Sequence, residues 1–133
     1  MARRVDPGKK LGATHPVGVS QIVFFVPAGD RKGVPINQNR WRDEALRVFG
    51  TLFRGATAFP PGQGVWRDDA AGGALLFEQT VMVVSYVNPA DLNEKAWKNL
   101  RAFLHSFGRE SNQGEVGIVI DGQYFGISAY DVP

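Results

Sequence analysis

Apolar residues along this chain recur with two different periods, and the switches between them mark out the elements. The run SQIVFFVP, residues 20–27, is short, apolar and aromatic, ends at Pro27, and predicts a first strand. The segment AGDRKGVPINQN that follows is rich in turn residues and reads as a loop. Over residues 38–53 the period becomes helical. Trp41, Ala45, Val48, Phe49 and Leu52 fall on one face, and Asn37 or Asn39 can cap the start. Gly50 weakens that helix by about 1 kcal/mol relative to alanine. GVWRD, residues 64–68, predicts a short strand leading through DAAGG into residues 74–87, ALLFEQTVMVVSYV, the most strand-like run of the chain. Asp91, with Glu94 three residues on, has the pattern of a helix start. Ala96, Trp97, Leu100, Phe103, Leu104 and Phe107 then form an apolar stripe, and Gly108 is expected to end it. Val116, Ile118 and Ile120 alternate as in a strand. Asp121-Gly122 predicts a tight hairpin turn into a last strand at 123–128.

The order is strand, helix, strand, strand, helix, strand, with a terminal strand added. Over residues 20–128 it resembles the ferredoxin-like split βαβ arrangement. That resemblance implies an α+β domain: an antiparallel β-α-β-β-α-β sheet, two helices on one of its faces, and an extra C-terminal hairpin strand. The run GATAFPPGQGVW followed by FEQT is also similar to a small bacterial family of unknown function, in which a Gly-rich, Trp-containing segment precedes a Glu-bearing strand; the similarity implies no activity. Residues 1–19 read as an irregular, flexible basic leader and residues 20–133 as a single domain.

Composition narrows the function classes. The chain of 133 residues contains no cysteine, which removes disulfides, thiolate zinc sites and cysteine nucleophiles. No apolar run approaches the roughly 20 residues that span a bilayer, and no apolar segment follows the first positive charges as in a signal peptide. The expectation is a cytoplasmic protein without a membrane partner. The net charge of +2 is concentrated in the leader. Arg3, Arg4, Lys9 and Lys10 stand there against Asp6 alone, which leaves the rest of the chain at −1. A near-neutral body gives only slight support to a nucleic-acid partner.

The candidate chemistry centres on the acid inside the longest strand. Alternation places Leu76, Glu78, Thr80, Met82, Val84 and Tyr86 on one side. Phe77, Gln79, Val81, Val83, Ser85 and Val87 lie on the other, more apolar side, which is expected to meet the helices. Glu78 then belongs to an open sheet face that Met82, Val84 and Tyr86 make too apolar to be simply wet, and such a face marks an interface or a ligand surface. An unpaired buried carboxylate costs several kcal/mol. Arg67 is the expected partner, with Arg54 as the alternative. Trp66 can stack on a ring or cap a sheet edge.

Three functions follow. The first is a small binding or assembly module, homodimeric through the open face, that uses Trp66, Arg67, Glu78, Thr80, Met82 and Tyr86 toward a second copy, a small molecule or another protein. The second is a small dimeric ferredoxin-like enzyme with Glu78, or a histidine (His15 or His105), as acid or base. The third is a nucleic-acid-binding protein or metal-dependent nuclease built on Asp30, the leader and Arg40, Arg42, Arg47 and Arg54. No cofactor is expected. No metal is expected either, since Asp68 and Asp69 lack a ligand spacing and read as turn residues.

Overall fold

The computed structural model describes residues 5–13 and 20–133. Within the leader, Pro7–Leu11 forms a five-residue helix, α1. Local signals suffice for it. The Asp6 carboxylate accepts from the Lys9 N–H, Pro7 opens the first turn, and Gly12 at φ 69° closes the last. None of its residues is buried.

From Ser20 the chain follows the expected order. β1 (Ser20–Pro27) leads to α2 (Gln38–Phe53), then to β2 (Thr57–Ala58), β3 (Gly62–Asp68) and β4 (Ala74–Val87). α3 (Glu94–Glu110), β5 (Val116–Ile120) and β6 (Gln123–Ile127) complete it. The strands make an open antiparallel sheet in the order β2-β4-β1-β5-β6, with β3 also paired to β4. This is a ferredoxin-like α+β fold. β1 lies at its centre and a C-terminal hairpin strand extends one edge.

The expected core face is the observed one along β1 and the second half of β4. Ile22, Phe24 and Val26 of β1, Val81, Val83 and Val87 of β4, and Val116 and Ile118 of β5 are buried beneath the helices. α2 contributes Trp41, Ala45, Phe49 and Phe53; α3 contributes Ala96, Leu100, Phe103, Leu104 and Phe107. Phe24 is the hub. Its ring meets Phe107 at 5.2 Å and Phe103 at 5.5 Å between centroids, both edge-on, and Phe49 at 6.3 Å. Ser85 shares this buried face because its hydroxyl donates to the Gly55 carbonyl at 2.6 Å.

Two helix ends differ from expectation. Asn93, not Asp91, caps α3, accepting from the Ala96 N–H at 2.9 Å. Asp91 belongs to a preceding 3-10 turn and faces Arg54, whose guanidinium forks onto its carboxylate at 3.0 and 3.3 Å. Gly108 does not stop the helix. It lies inside α3, where the missing side chain admits the ring of Tyr130; a Cβ there would overlap the ring. The C-terminal segment is tied over this point. The Tyr130 hydroxyl donates to the Gln113 carbonyl, the Asp131 N–H to His105 Nδ1, and Arg101 to the Asp131 carboxylate. That arginine is the first cause of an Asp131 pKa held below its ordinary value.

Gly108→Ala tests this packing. A gain of about 1 kcal/mol in helix propensity should be outweighed by about 1–3 kcal/mol of overpacking, so urea unfolding should show net destabilisation. In a Tyr130→Ala background the same substitution should be neutral or stabilising. Destabilisation of equal size in both backgrounds would separate Gly108 from Tyr130.

Candidate functional site

β4 is fourteen residues long, but the helices cover only its second half. Its first half pairs with β3, Gly62 opposite Thr80 through Asp68 opposite Ala74, as a hairpin extending beyond the core. Paired residues in an antiparallel ladder point to the same face. Register therefore assigns the open face without ambiguity. It carries Glu78 with Gly64, Leu76 with Trp66, Thr80 with Gly62 and Pro27, Met82 with Phe25, and Tyr86 with Gln21. Val119 of β5 and Tyr124 of β6 continue it across the sheet.

Arg67 is not on this face. It pairs with Leu75, one position out of phase with Glu78, and its guanidinium binds Asp69 at 2.5 Å. The expected Arg67–Glu78 ion pair is therefore replaced by a local turn pair. Arg54, the alternative partner, is taken by Asp91. Glu78 instead accepts a hydrogen bond from the backbone N–H of Gly29, at 3.2 Å, and has no ion pair among the described residues.

The open face bears a groove of roughly 920 Å³ between the β3–β4 hairpin and the β5–β6 edge. Trp66, Glu78, Thr80 and Met82 line it; Arg67 does not. Its floor is made low by glycines. Gly62 and Gly64 lie opposite Thr80 and Glu78, and a Cβ on Gly64 would come within 3.3 Å of the Glu78 carbonyl. Tyr86 lines a separate depression of about 390 Å³, beside Arg54, Thr57 and Asp91 at the C-terminal end of α2.

The far wall holds residues that sequence reasoning did not single out. Arg31, Gln113, Glu115 and Tyr124 all border the groove. The Tyr124 hydroxyl donates to Glu115 at 2.9 Å. Burial, and then this carboxylate, push the phenol up to about 12, so it remains a donor at neutral pH. The ring passes over Gly117, where a Cβ would press on it. The legible signal was the Asp121-Gly122 turn, which sets Tyr124 opposite Val119 and hence on the Glu78 face.

Asp30 also lines the groove, but its carboxylate is occupied within its own loop. It accepts from the N–H groups of Lys32 and Val34, which hold its pKa below the ordinary value, and from the Asn112 amide. Asp68 accepts from the Ala70 N–H in a turn, as expected. Among the described residues no group of three or more His, Asp or Glu side chains is placed to hold a metal. Of the expected basic surface, Arg40, Arg42 and Arg54 each pair with an acid, and Arg47 is in no ion pair among the described residues. His105 is buried against α3's own surroundings and lines neither depression. His15 lies outside the described residues. No described helix is long and apolar enough to cross a membrane.

The fold and the groove define a small ferredoxin-like protein with a ligand-sized, acid-bearing sheet face. No protein-family model matches the chain, and no curated protein matches it. Solved structures of a phage SAM lyase share the fold. The complex with S-methyl-5'-thioadenosine aligns with a TM-score of 0.60 at 17% identity, covering 87% of this chain and 95% of that chain. The apo form aligns with a TM-score of 0.56 at 18% identity, covering 87% and 94%.

Opposite faces imply independence of Arg67 and Glu78. In urea unfolding, the effects of Arg67→Ala and Glu78→Gln should add to within about 0.5 kcal/mol in the double mutant. A coupling above about 1 kcal/mol would bring the two side chains together.

Proposed function

We propose that the protein is a small enzyme that takes an organic cation bearing a planar ring into the open-face groove, with Glu78 as the anchoring carboxylate. Glu78 carries this reading. It is half-buried on the groove floor, and one backbone N–H is its hydrogen-bond partner among the described residues. A carboxylate in that setting is best satisfied by a cation that arrives with a ligand. Trp66 stands two positions along the same face and offers an indole to a ring or a positive group. Arg31, on the wall, supplies the opposite charge for a ligand carboxylate.

An adenosyl sulfonium amino acid combines these features: a ring, a fixed positive charge and a carboxylate. Phage SAM lyase, which shares the fold, adds support from a second direction. When a sulfonium carbon–sulfur bond breaks, its electron pair passes to sulfur while the ligand's own carboxylate oxygen forms a bond to the carbon that sulfur leaves, giving a neutral thioether and a lactone, and the positive charge on sulfur disappears. Glu78 would therefore hold the cation at least as well before bond breaking as during it. Its contribution lies in capture and orientation rather than in lowering the barrier directly. Any acid–base role would fall to Glu78 rather than to His105, which lies away from the groove.

Calorimetry with S-adenosylmethionine and with the neutral S-methyl-5'-thioadenosine tests this. Glu78→Gln should weaken the cation tenfold or more, about 1.4 kcal/mol or above, and the thioether by about twofold at most. Chromatography of wild type with S-adenosylmethionine should show the thioether accumulating. No binding of either compound, or equal losses on both, would overturn the reading.

Self-association is a second reading, favoured by the hairpin. Val65, Leu75 and Phe77 are exposed on one of its faces and Trp66 and Leu76 on the other, with Phe77 67% accessible. Apolar groups on both sides of one ribbon call for cover by another chain, and Met82 at 40% continues the surface inward. Light scattering at micromolar concentration should give a mass above one chain, and Phe77→Asp or Met82→Lys should return a monomer. A wild-type monomer would remove this reading and leave the groove reading intact.

A further inference from the structure

Gln113 closes the turn after α3 and is 5% exposed, one of few buried polar side chains among the described residues. Its amide nitrogen faces two carbonyls, Gly29 at 3.2 Å and Ser111 at 3.3 Å. Its backbone carbonyl accepts from Arg31 Nη2 and from the Tyr130 hydroxyl, each at 2.8 Å. Its N–H returns to the Gly108 carbonyl at 2.9 Å, at the end of α3. One residue thus joins α3, the C-terminal segment and the loop after β1.

That loop carries two groups of the groove. The Gly29 N–H holds Glu78, and Arg31 borders the wall. The loop is stiff within itself, through the Gly29–Pro35 bridge, the Asp30 N–H on the Val34 carbonyl, and the Asp30 carboxylate on two backbone N–H groups. A stiff loop moves as a unit, so its placement depends on where it is pinned. The pins are the Gln113 side-chain amide on the Gly29 carbonyl, which substitution at 113 removes, and the Gln113 backbone carbonyl on Arg31, which it does not. Asn112, at φ 53°, assists with its carbonyl on the Arg31 N–H and its amide on Asp30.

We infer that Gln113 is the positioning residue of the groove: through Gly29 and Arg31 it sets the Glu78 carboxylate and the Arg31 guanidinium at the separation that the ligand must match. This rests on the groove reading for its ligand, but not for its geometry. A residue serving only the core would stabilise the domain without coupling to Glu78. A positioning residue must couple to it.

The test uses Gln113→Met, which keeps length and loses the donors, and Gln113→Glu, which keeps shape and turns the donor into an acceptor facing two carbonyls. The Gly29 amide cross-peak in a ¹H–¹⁵N spectrum is read without ligand. It should move on Glu78→Gln in the native background and stay put on the same change in either Gln113 variant. Its hydrogen exchange should rise tenfold or more in both. With S-adenosylmethionine as the probe, each Gln113 variant should bind at least fivefold more weakly. Adding Glu78→Gln should then cost less than twofold further. An unchanged Gly29 amide, or losses that multiply fully, would overturn the inference. A preserved Gly29 coupling with no binding by wild type would remove the groove's proposed ligand and leave the positioning role standing. Should the methionine variant fail to show a cooperative urea transition, the glutamate variant decides.

Discussion

A one-residue offset between two strands fixes which side chains meet Glu78. Ala58 of β2 pairs with Val83, and Gly62 of β3 pairs with Thr80. Four steps along one strand answer three along the other, across Phe59, Pro60 and Pro61. This is a bulge at a point where two prolines cannot donate to the ladder. Side-chain period in a strand is two, so one extra residue exchanges the faces of everything beyond it. Without the offset, Val65 and Arg67 would share the open face with Glu78. With it, Gly62, Gly64 and Trp66 do.

The consequences run through the site. Two glycines on the open face lower the floor beside Thr80 and Glu78, and an indole borders it where a guanidinium would have neutralised the acid. Arg67, turned to the other side, closes the hairpin loop with Asp69. Such an exposed pair contributes at most about 1 kcal/mol, so the offset spends little on the far face. The helix layer is untouched, because β4's second half keeps its register with β1, from Pro27 opposite Thr80 to Ser20 opposite Val87. Core and groove are thus specified by different halves of one strand.

This division explains what could be read from the sequence. Element order, the two-helix layer and the buried set Val81, Val83, Ser85 and Val87 follow from periodicity within single segments. Glu78, Thr80 and Met82 were placed together on the open face by the same alternation. The Glu78–Arg67 pairing failed because it needed the relation between two strands, which the Pro60-Pro61 bulge sets and periodicity does not encode. Gly108 misled for a similar reason. Glycine near a helix end is an ordinary stop signal, but here the partner that requires it is Tyr130, twenty-two residues away. Gln113 carried no local signal at all. A glutamine in a polar turn becomes distinctive only when the fold buries it between two loops and the C-terminal segment.

The charges around the groove are arranged rather than merely present. Asp30 is held ionised by backbone N–H groups, yet those bonds use its carboxylate within its own loop. Glu115 is engaged by a phenol that stays protonated to about pH 12. Glu78, with its single backbone donor, is the least compensated of the three, while Arg31 donates to a carbonyl, which leaves its charge unneutralised. Glu78 on the floor and Arg31 on the wall thus stand as opposite charges across the groove, with the carboxylates of Asp30 and Glu115 also bordering it. On the proposed reading, a zwitterionic ligand would meet Glu78 with its cation and Arg31 with its carboxylate, at a separation set by the pinned loop. Groups held in place before a ligand arrives need less ordering on binding, which is why a rigid loop, rather than a mobile one, suits the residues that border this groove.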